Sequence, residues 1–500
     1  GASKMRHLLA LRDAIYSERF RKLVGDVMGC DDLTEKVDCS ANAYTHGCHL
    51  LCHDDVIGTR RISYIIYLTD PDCEWTAEDG GALELYPLEG DKNAQQGVPV
   101  PSPTNNLLPR FNSMALFRVQ PGKSYHSVQE VYAKDKPRLS ISGWFHGPTP
   151  PEGADGASLK QIMTMGDDAR PFERFSNGSV DSETAGTTPS LSAEDMCELK
   201  KYVNPTYLTT EAMTQICEQF CSDSSIQLHG FIHDAIAAPL MNKMFAVDEI
   251  DKVGNGHCPP SYQVGLHPPS SWKVVGPPHK RRHLVYECTN DAGDGEIGDN
   301  CENVHGQLGQ GLATLREKLF RSAAFARYCE KITTLRPTGY KDTIRRFRPG
   351  LDYTVAHYSG MTKVSRLDAT LCFVDSREDG GNEEEEKEET KGKGRGEIKQ
   401  QIGKAALWDS GDAGGFECYI AADDDEDAEA AAVYKSMGEE SDDEGDQLLS
   451  VSPAANVLSL VMRNENIMRF VKYVSATAPS SRFDISAEFE FAVEEDDEEG

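Results

Sequence analysis

The sequence contains no apolar run longer than a strand, no CxxC pair, and little positive charge. Its longest largely apolar stretches, such as 62–68, are too short to span a bilayer, and no secretory signal peptide is visible. A membrane-embedded or secreted protein is therefore not expected. Fourteen cysteines show no framework spacing, and even the nearest approaches, Cys48/Cys52 and Cys217/Cys221, read as chance or core thiols in a reducing compartment. Lysine and arginine number 51 against 82 aspartates and glutamates, a formal net charge of −31. Such a surface repels phosphate backbones, which argues against direct nucleic-acid binding. It would attract a basic protein partner, or simply keep the chain soluble.

Hydrophobic residues make up only 39% of the 500, low for a length that suggests two to four domains. Two charged stretches account for part of this, 376–404 and 422–447, and both are expected to be disordered insertions on loops. A Pro-, Gly-, Ser-, Asp- and Thr-rich segment at 151–190 reads as a linker between a unit at 1–150 and one at 191–500. Gly1-Ala2-Ser3 reads as a cloning scar, so the native N-terminus is expected to differ.

What is present is mostly strand-like. Leu8, Leu9, Leu11, Ile15, Phe20, Leu23, Val24 and Val27 recur near helical spacing and predict one amphipathic helix at the start. Short strand runs follow at 61–68, 82–86, 114–119 and 138–145, with Gly80-Gly81 and Pro121-Gly122 as breaks. The second unit alternates helical patterns (193–203, 210–221, 230–247, 312–332) with strand runs at 353–358, 369–374, 416–421, 457–462 and 482–491. The predicted fold class is mainly β with flanking helices (α+β), as in a sandwich or jelly roll.

A weak internal repeat links the two units. Asn112-Ser-Met-Ala-Leu-Phe and Arg138-Leu-Ser-Ile-Ser resemble Asn456-Val-Leu-Ser-Leu-Val and Arg482-Phe-Asp-Ile-Ser at one offset of 344, and Gly80-Gly81 resembles Gly414-Gly415. Chance likeness between strand-rich segments is the competing explanation.

Residues two apart on a strand share a face, so His53-Asp54-Asp55 is expected to project His53 and Asp55 together. Two histidines and one carboxylate on one side of a metal leave positions open for a cosubstrate and dioxygen, the arrangement of non-haem iron(II) oxygenases. An HxD alone occurs often by chance. In Arg138-Leu-Ser-Ile-Ser-Gly-Trp, alternation places Arg138, Ser140, Ser142 and Trp144 on one face; a buried arginine there calls for an anion such as a carboxylate. Read by itself, the strand is better taken as a surface strand with a solvated arginine. Trp144 could line a pocket or merely pack, and His49 and Asp54 fit supporting roles. A zinc cluster of Cys48, His49, Cys52 and His53 is disfavoured because the cysteines face away from His53.

His53-Asp54-Asp55, Gly58-Thr59-Arg60-Arg61-Ile62, Tyr67-Leu68, the Gly80-to-Tyr86 segment, His126 and Arg138-to-Gly147 together resemble the ribosomal prolyl hydroxylases. These belong to the 2-oxoglutarate- and iron(II)-dependent oxygenases, and the likeness is dense over 40–148. It implies two double-stranded β-helix (jelly-roll) domains, the first catalytic and the second degenerate. His53, Asp55 and His126 would hold Fe(II), and Tyr67 and Arg138 would take the far carboxylate of 2-oxoglutarate. Dioxygen and 2-oxoglutarate would be consumed, with ascorbate as reductant, and succinate and carbon dioxide released. A prolyl residue of a small-subunit ribosomal protein near the decoding centre would be hydroxylated, in nucleus or cytoplasm.

At the 344 offset Phe470 replaces His126 and Arg482 matches Arg138, while His357-Tyr358-Ser359 is the nearest analogue of the HxD. The second domain would then lack a metal; stabilising the first, presenting acidic loops, and binding a regulatory partner all remain open roles for it. An alternative function is an oxygen- or 2-oxoglutarate-sensing protein with a regulatory partner on that domain. An oxygenase acting on nucleic acid or lipid conflicts with the charge. Pro277-Pro278-His279-Lys280-Arg281-Arg282-His283 is a short candidate nuclear signal.

Overall fold

The structure is a computed structural model that describes residues 5–89, 97–154, 170–175, 191–255, 257, 260–266, 271–287, 303–356, 364–377, 403–421 and 447–491. Most of the expected acidic insertions and of the linker, and all of His357-Tyr358-Ser359, lie outside these residues.

The N-terminal helical pattern forms two helices rather than one, α1 (Arg6–Ile15) and α2 (Glu18–Met28). Ser17 breaks the run: its extended backbone and side chain cap α2 by accepting from Phe20 N–H. Ile15 and Val24 pack on Ile62, Tyr64, Ile141 and Phe145, covering the outer face of the first sheet.

That sheet has the order β1-β10-β3-β8, built from β1 (Ser40–Tyr44), β3 (Arg60–Tyr67), β8 (Ser113–Arg118) and β10 (Arg138–His146). A second four-stranded sheet, β2-β9-β4-β7, faces it, built from β2 (Leu50–His53), β4 (Leu83–Leu85), β7 (Asn105–Leu107) and β9 (His126–Val128). Both are antiparallel, and together they form a jelly-roll barrel of mainly β structure, as expected.

The C-terminal unit places helices such as Thr210–Asp223, Asp234–Asp251 and Ala323–Thr333 against a larger sheet. Residues 312–332, read from sequence as one helix, contain the end of a helix, a π-helical turn at Arg316–Phe320, and a new helix capped by Ser322. Within the sheet, β14 (Pro337–Phe347), β16 (Arg366–Phe373), β19 (Val457–Arg463) and β21 (Arg482–Phe491) follow the order β19-β16-β21-β14. This reproduces β8-β3-β10-β1 of the first barrel. Opposite lie β17 (Glu417–Ala421), β18 (Gln447–Val451) and β20 (Ile467–Val471).

The repeat extends to backbone detail. Asn112 and Asn456 both carry left-handed φ, 55° and 54°, as do Gly80, Gly81, Gly414 and Gly415. Gly80 bridges Val131 and Gly414 bridges Val474. Arg138 Nε donates to Gly81 O, and Arg482 Nη1 donates to Gly415 O.

Strand register corrects one sequence-based alignment. Leu85 faces His126 across the β4–β9 ladder, and Tyr419 faces Arg469 across β17–β20. Arg469, not Phe470, therefore occupies the place of His126, because the offset in this strand is one shorter than 344. Arg469 contacts Glu417, Thr370 and Ser486, and Arg345 pairs with Asp484 on the adjoining strand, so ion pairs fill the interior of the second barrel.

Candidate active site

His53 ends β2 and His126 begins β9, and the two are Cα partners across that ladder. Asp55 arrives differently from the sequence expectation. The strand stops at His53, and Asp55 sits in a left-handed conformation, φ 63°, which swings its carboxylate back toward both rings. Aspartate tolerates this backbone better than most residues do. Asp54 secures the turn by accepting from the N–H groups of Val56 and Gly122.

Asp55 Oδ1 lies 3.2 Å from His53 Nε2, and Oδ2 lies 3.4 Å from His126 Nε2. The three ligand atoms fall within 4.8 Å of one another, and all three residues are buried. Each imidazole is oriented from behind: His53 Nδ1 lies 2.8 Å from Leu51 O and His126 Nδ1 lies 2.8 Å from Ser124 O. A carbonyl only accepts, so Nδ1 carries the proton and Nε2 presents its lone pair. Burial opposes ionisation of Asp55, but the charge and N–H donation of the His126 and His53 rings, when Nε2 carries a proton in place of a metal, outweigh it and hold its carboxyl well below the usual range.

Deeper in the barrel, Tyr67 on β3 and Arg138 on β10 are both 2% exposed. Apart from a contact between the two side chains, the Tyr67 hydroxyl and Arg138 Nη2 are buried without a hydrogen-bond partner, and among the described residues no carboxylate pairs with Arg138. Arg138 Nε donates to Gly81 O at 2.7 Å, and its guanidinium lies 5.3 Å from the Tyr44 ring and 5.2 Å from the Tyr67 ring. Burial lowers the pKa of Arg138 and raises that of Tyr67, so this enclosure disfavours an uncompensated charge. A buried guanidinium and phenol aimed at the same space await an acceptor, and a carboxylate fits both. The donor set is thus suited to Fe(II) and 2-oxoglutarate: two neutral imidazoles and a carboxylate for the metal, a cation and a hydroxyl for an anion.

Trp144, on the same strand face as Arg138, donates from Nε1 to Asp55 Oδ2 at 3.0 Å. The Arg60 guanidinium lies 3.5 Å from the centre of the Trp144 ring and 4.0 Å from Asp55 Oδ1. Sequence reasoning left Trp144 between pocket and packing and did not single out Arg60, although both lie in quoted motif segments. His146 takes no part; it bonds Thr59 and Asp38. His49 stacks on Tyr473 at 4.0 Å. Among the described residues only the His53–Asp55–His126 triad has metal-ligand spacing, so the Cys48–Cys52 zinc reading finds no support.

Residues 39–146 match the 2OG-Fe(II) oxygenase superfamily, and residues 194–498 match the family described as oxoglutarate and iron-dependent oxygenase degradation C-term. The chain is 38% identical over 485 residues to prolyl 3,4-dihydroxylase OGFOD1 of Ostreococcus tauri, covering 96% of this chain and 82% of that one. It belongs to the OGFOD1-type prolyl hydroxylases. This makes it a 2-oxoglutarate- and iron(II)-dependent dioxygenase, the reaction class that the triad and the unpartnered Arg138 imply. Prolyl 3-hydroxylase OGFOD1 of Xenopus laevis is 27% identical, over 94% of this chain and 74% of its own. The Mus musculus protein of the same name is likewise 27% identical, over 94% and 75%.

The candidate nuclear signal of this OGFOD1-type chain has another setting. Lys280, Arg282 and His283 are buried, and Arg282 bonds Leu351 O and the Tyr86 hydroxyl, so the cluster is structural rather than displayed. Among the described residues, no helix is long and apolar enough to cross a membrane.

Proposed function

We propose that this protein hydroxylates a prolyl residue of a basic small-subunit ribosomal protein near the decoding centre, releasing succinate and carbon dioxide. The observation that carries the reading is the coincidence, in one barrel, of the His53–Asp55–His126 triad with the unpartnered Tyr67 hydroxyl and Arg138 Nη2. Prolyl hydroxylation is supported by the names of the relatives, which are prolyl 3,4-dihydroxylase and prolyl 3-hydroxylase. A basic protein substrate is supported by the charge of −31, which favours polycations over nucleic acid.

In this reading His53, Asp55 and His126 hold Fe(II), and Arg138 and Tyr67 bind the far carboxylate of 2-oxoglutarate. When bound, iron and 2-oxoglutarate supply the activation of dioxygen, and ascorbate keeps the metal reduced. The chain's own work is positional. Trp144 and Arg60 fix Asp55, the carbonyls of Leu51 and Ser124 fix the imidazoles, and burial excludes water. The second barrel is non-catalytic on this reading: Arg469 stands at the place of His126, and Cys372 stands where register puts Tyr67.

The test is mass spectrometry of the ribosomal protein after incubation with Fe(II), ascorbate and 2-oxoglutarate. A 2-oxoglutarate-dependent gain of oxygen on proline, lost in His126→Ala, is expected. Iron binding without peptide-dependent succinate formation would instead favour a sensing protein with a regulatory partner.

A further inference from the structure

The outer face of the sheet β2-β9-β4-β7 is packed on the C-terminal unit where β4 and β9 lie, whereas β7 stays exposed. Because strand residues alternate, His126 points into the barrel while its neighbours Tyr125 and Ser127 point out. Tyr125 stacks on His279 at 4.9 Å. Ser127 Oγ donates to Glu84 Oε2 at 2.6 Å, and the Tyr86 hydroxyl lies 3.0 Å from the same Oγ. Two groups from the C-terminal unit complete the cluster: the Tyr262 hydroxyl donates to Glu84 Oε1 at 2.7 Å, and Arg282 Nη1 donates to the Tyr86 hydroxyl at 3.1 Å.

Glu84 and Ser127 are Cα partners in the β4–β9 ladder, next to the pair Leu85 and His126. Glu84 is 2% exposed, so each donor to its carboxylate matters. A buried carboxylate that loses a donor must be resolvated or moved, and here movement displaces the strand that carries His126. Glu84, Ser127 and Tyr262 all lie outside the triad and the Tyr67–Arg138 space.

We infer that Tyr262 is a positioning residue for His126, acting across the domain interface through Glu84 and Ser127. The metal affinity of the first barrel is then set in part by the second. The inference rests on the reading of His126 as an iron ligand.

The experiment titrates Mn(II) into the full chain and follows the free ion by electron paramagnetic resonance, which needs no turnover. Tyr262→Phe keeps the ring and removes only the hydroxyl. It is expected to weaken Mn(II) binding by about tenfold, the low end for outer partners of metal ligands. Ser127→Ala, which breaks the same chain from inside the first barrel, should act in the same direction. Tyr328→Phe removes another buried hydroxyl, the one donating to Tyr207 O on the far helical side, and should leave Mn(II) affinity unchanged. Wild-type affinity in Tyr262→Phe, whatever Ser127→Ala does, or an equal loss in Tyr328→Phe, overturns the inference. A wild-type chain that fails to bind Mn(II) would remove the reading of the site itself.

Discussion

Trp144 Nε1 and Asp55 Oδ2 are joined by a 3.0 Å hydrogen bond that ties the carboxylate of the His53–Asp55–His126 triad to the strand carrying Arg138. With Oδ2 engaged by the indole, Oδ1 is the oxygen left for a metal, and it is buried without a hydrogen-bond partner. Arg60 packs over the face of the same indole. Trp144→Phe preserves the ring packing and deletes the donor. Metal affinity is expected to fall by about ten- to a hundredfold, measured by competition with a chelator of known strength. Unchanged affinity would show that the bond does not orient Asp55.

Arg138 and Tyr67 should contribute unequally. Each hydrogen bond to a carboxylate is charge-assisted and worth about 1.5–3 kcal/mol, but a guanidinium can supply two parallel donors in a fork that matches the carboxylate, where the phenol supplies one. Arg138→Lys is therefore expected to raise the KM for 2-oxoglutarate by about tenfold or more, and Tyr67→Phe by only a few-fold. The ranking is read from succinate formation at varied 2-oxoglutarate. Equal effects would mean that the phenol anchors the carboxylate as strongly as the guanidinium does.

The same two residues show how far the sequence could be read. Both lie on strands whose alternation is local, and 138–145 and 61–68 match β10 and β3 within a residue. β14 (Pro337–Phe347) escaped notice because its pattern is masked by charge: Arg346 is buried, but only because Asp248 and Asp251 meet it at 2.8 and 2.6 Å. Asp55 was placed on the correct side for the wrong reason, since a left-handed backbone rather than strand alternation turns it inward. Arg469 was missed because a gapless offset cannot register a connection one residue shorter. The bond from Tyr262 to Glu84 joins positions 178 apart and leaves no local trace.

Glu130 gives the interface a pH dependence of definite sign. Its carboxylate is buried and accepts from Ser475 Oγ at 2.6 Å, Ala476 N at 2.9 Å and the Tyr473 hydroxyl at 3.2 Å, all from the C-terminal unit. Burial dominates these three donors, and its pKa is raised from 4.5 to about 7. His49, stacked on Tyr473, supplies no compensating charge, because burial lowers its own pKa. A carboxyl whose folded pKa lies above its unfolded value stabilises the fold fully below about pH 4.5, and that stability is lost as pH rises through about 7. Some 2.5 pH units at ~1.4 kcal/mol each make the effect on the order of 3 kcal/mol. Glu130→Gln cannot ionise, so its unfolding free energy should lack this decline. Urea unfolding of both proteins at pH 5.5 and pH 8 checks it: the wild type should lose stability relative to the variant at the higher pH. Parallel changes would show that Glu130 does not titrate across this interval.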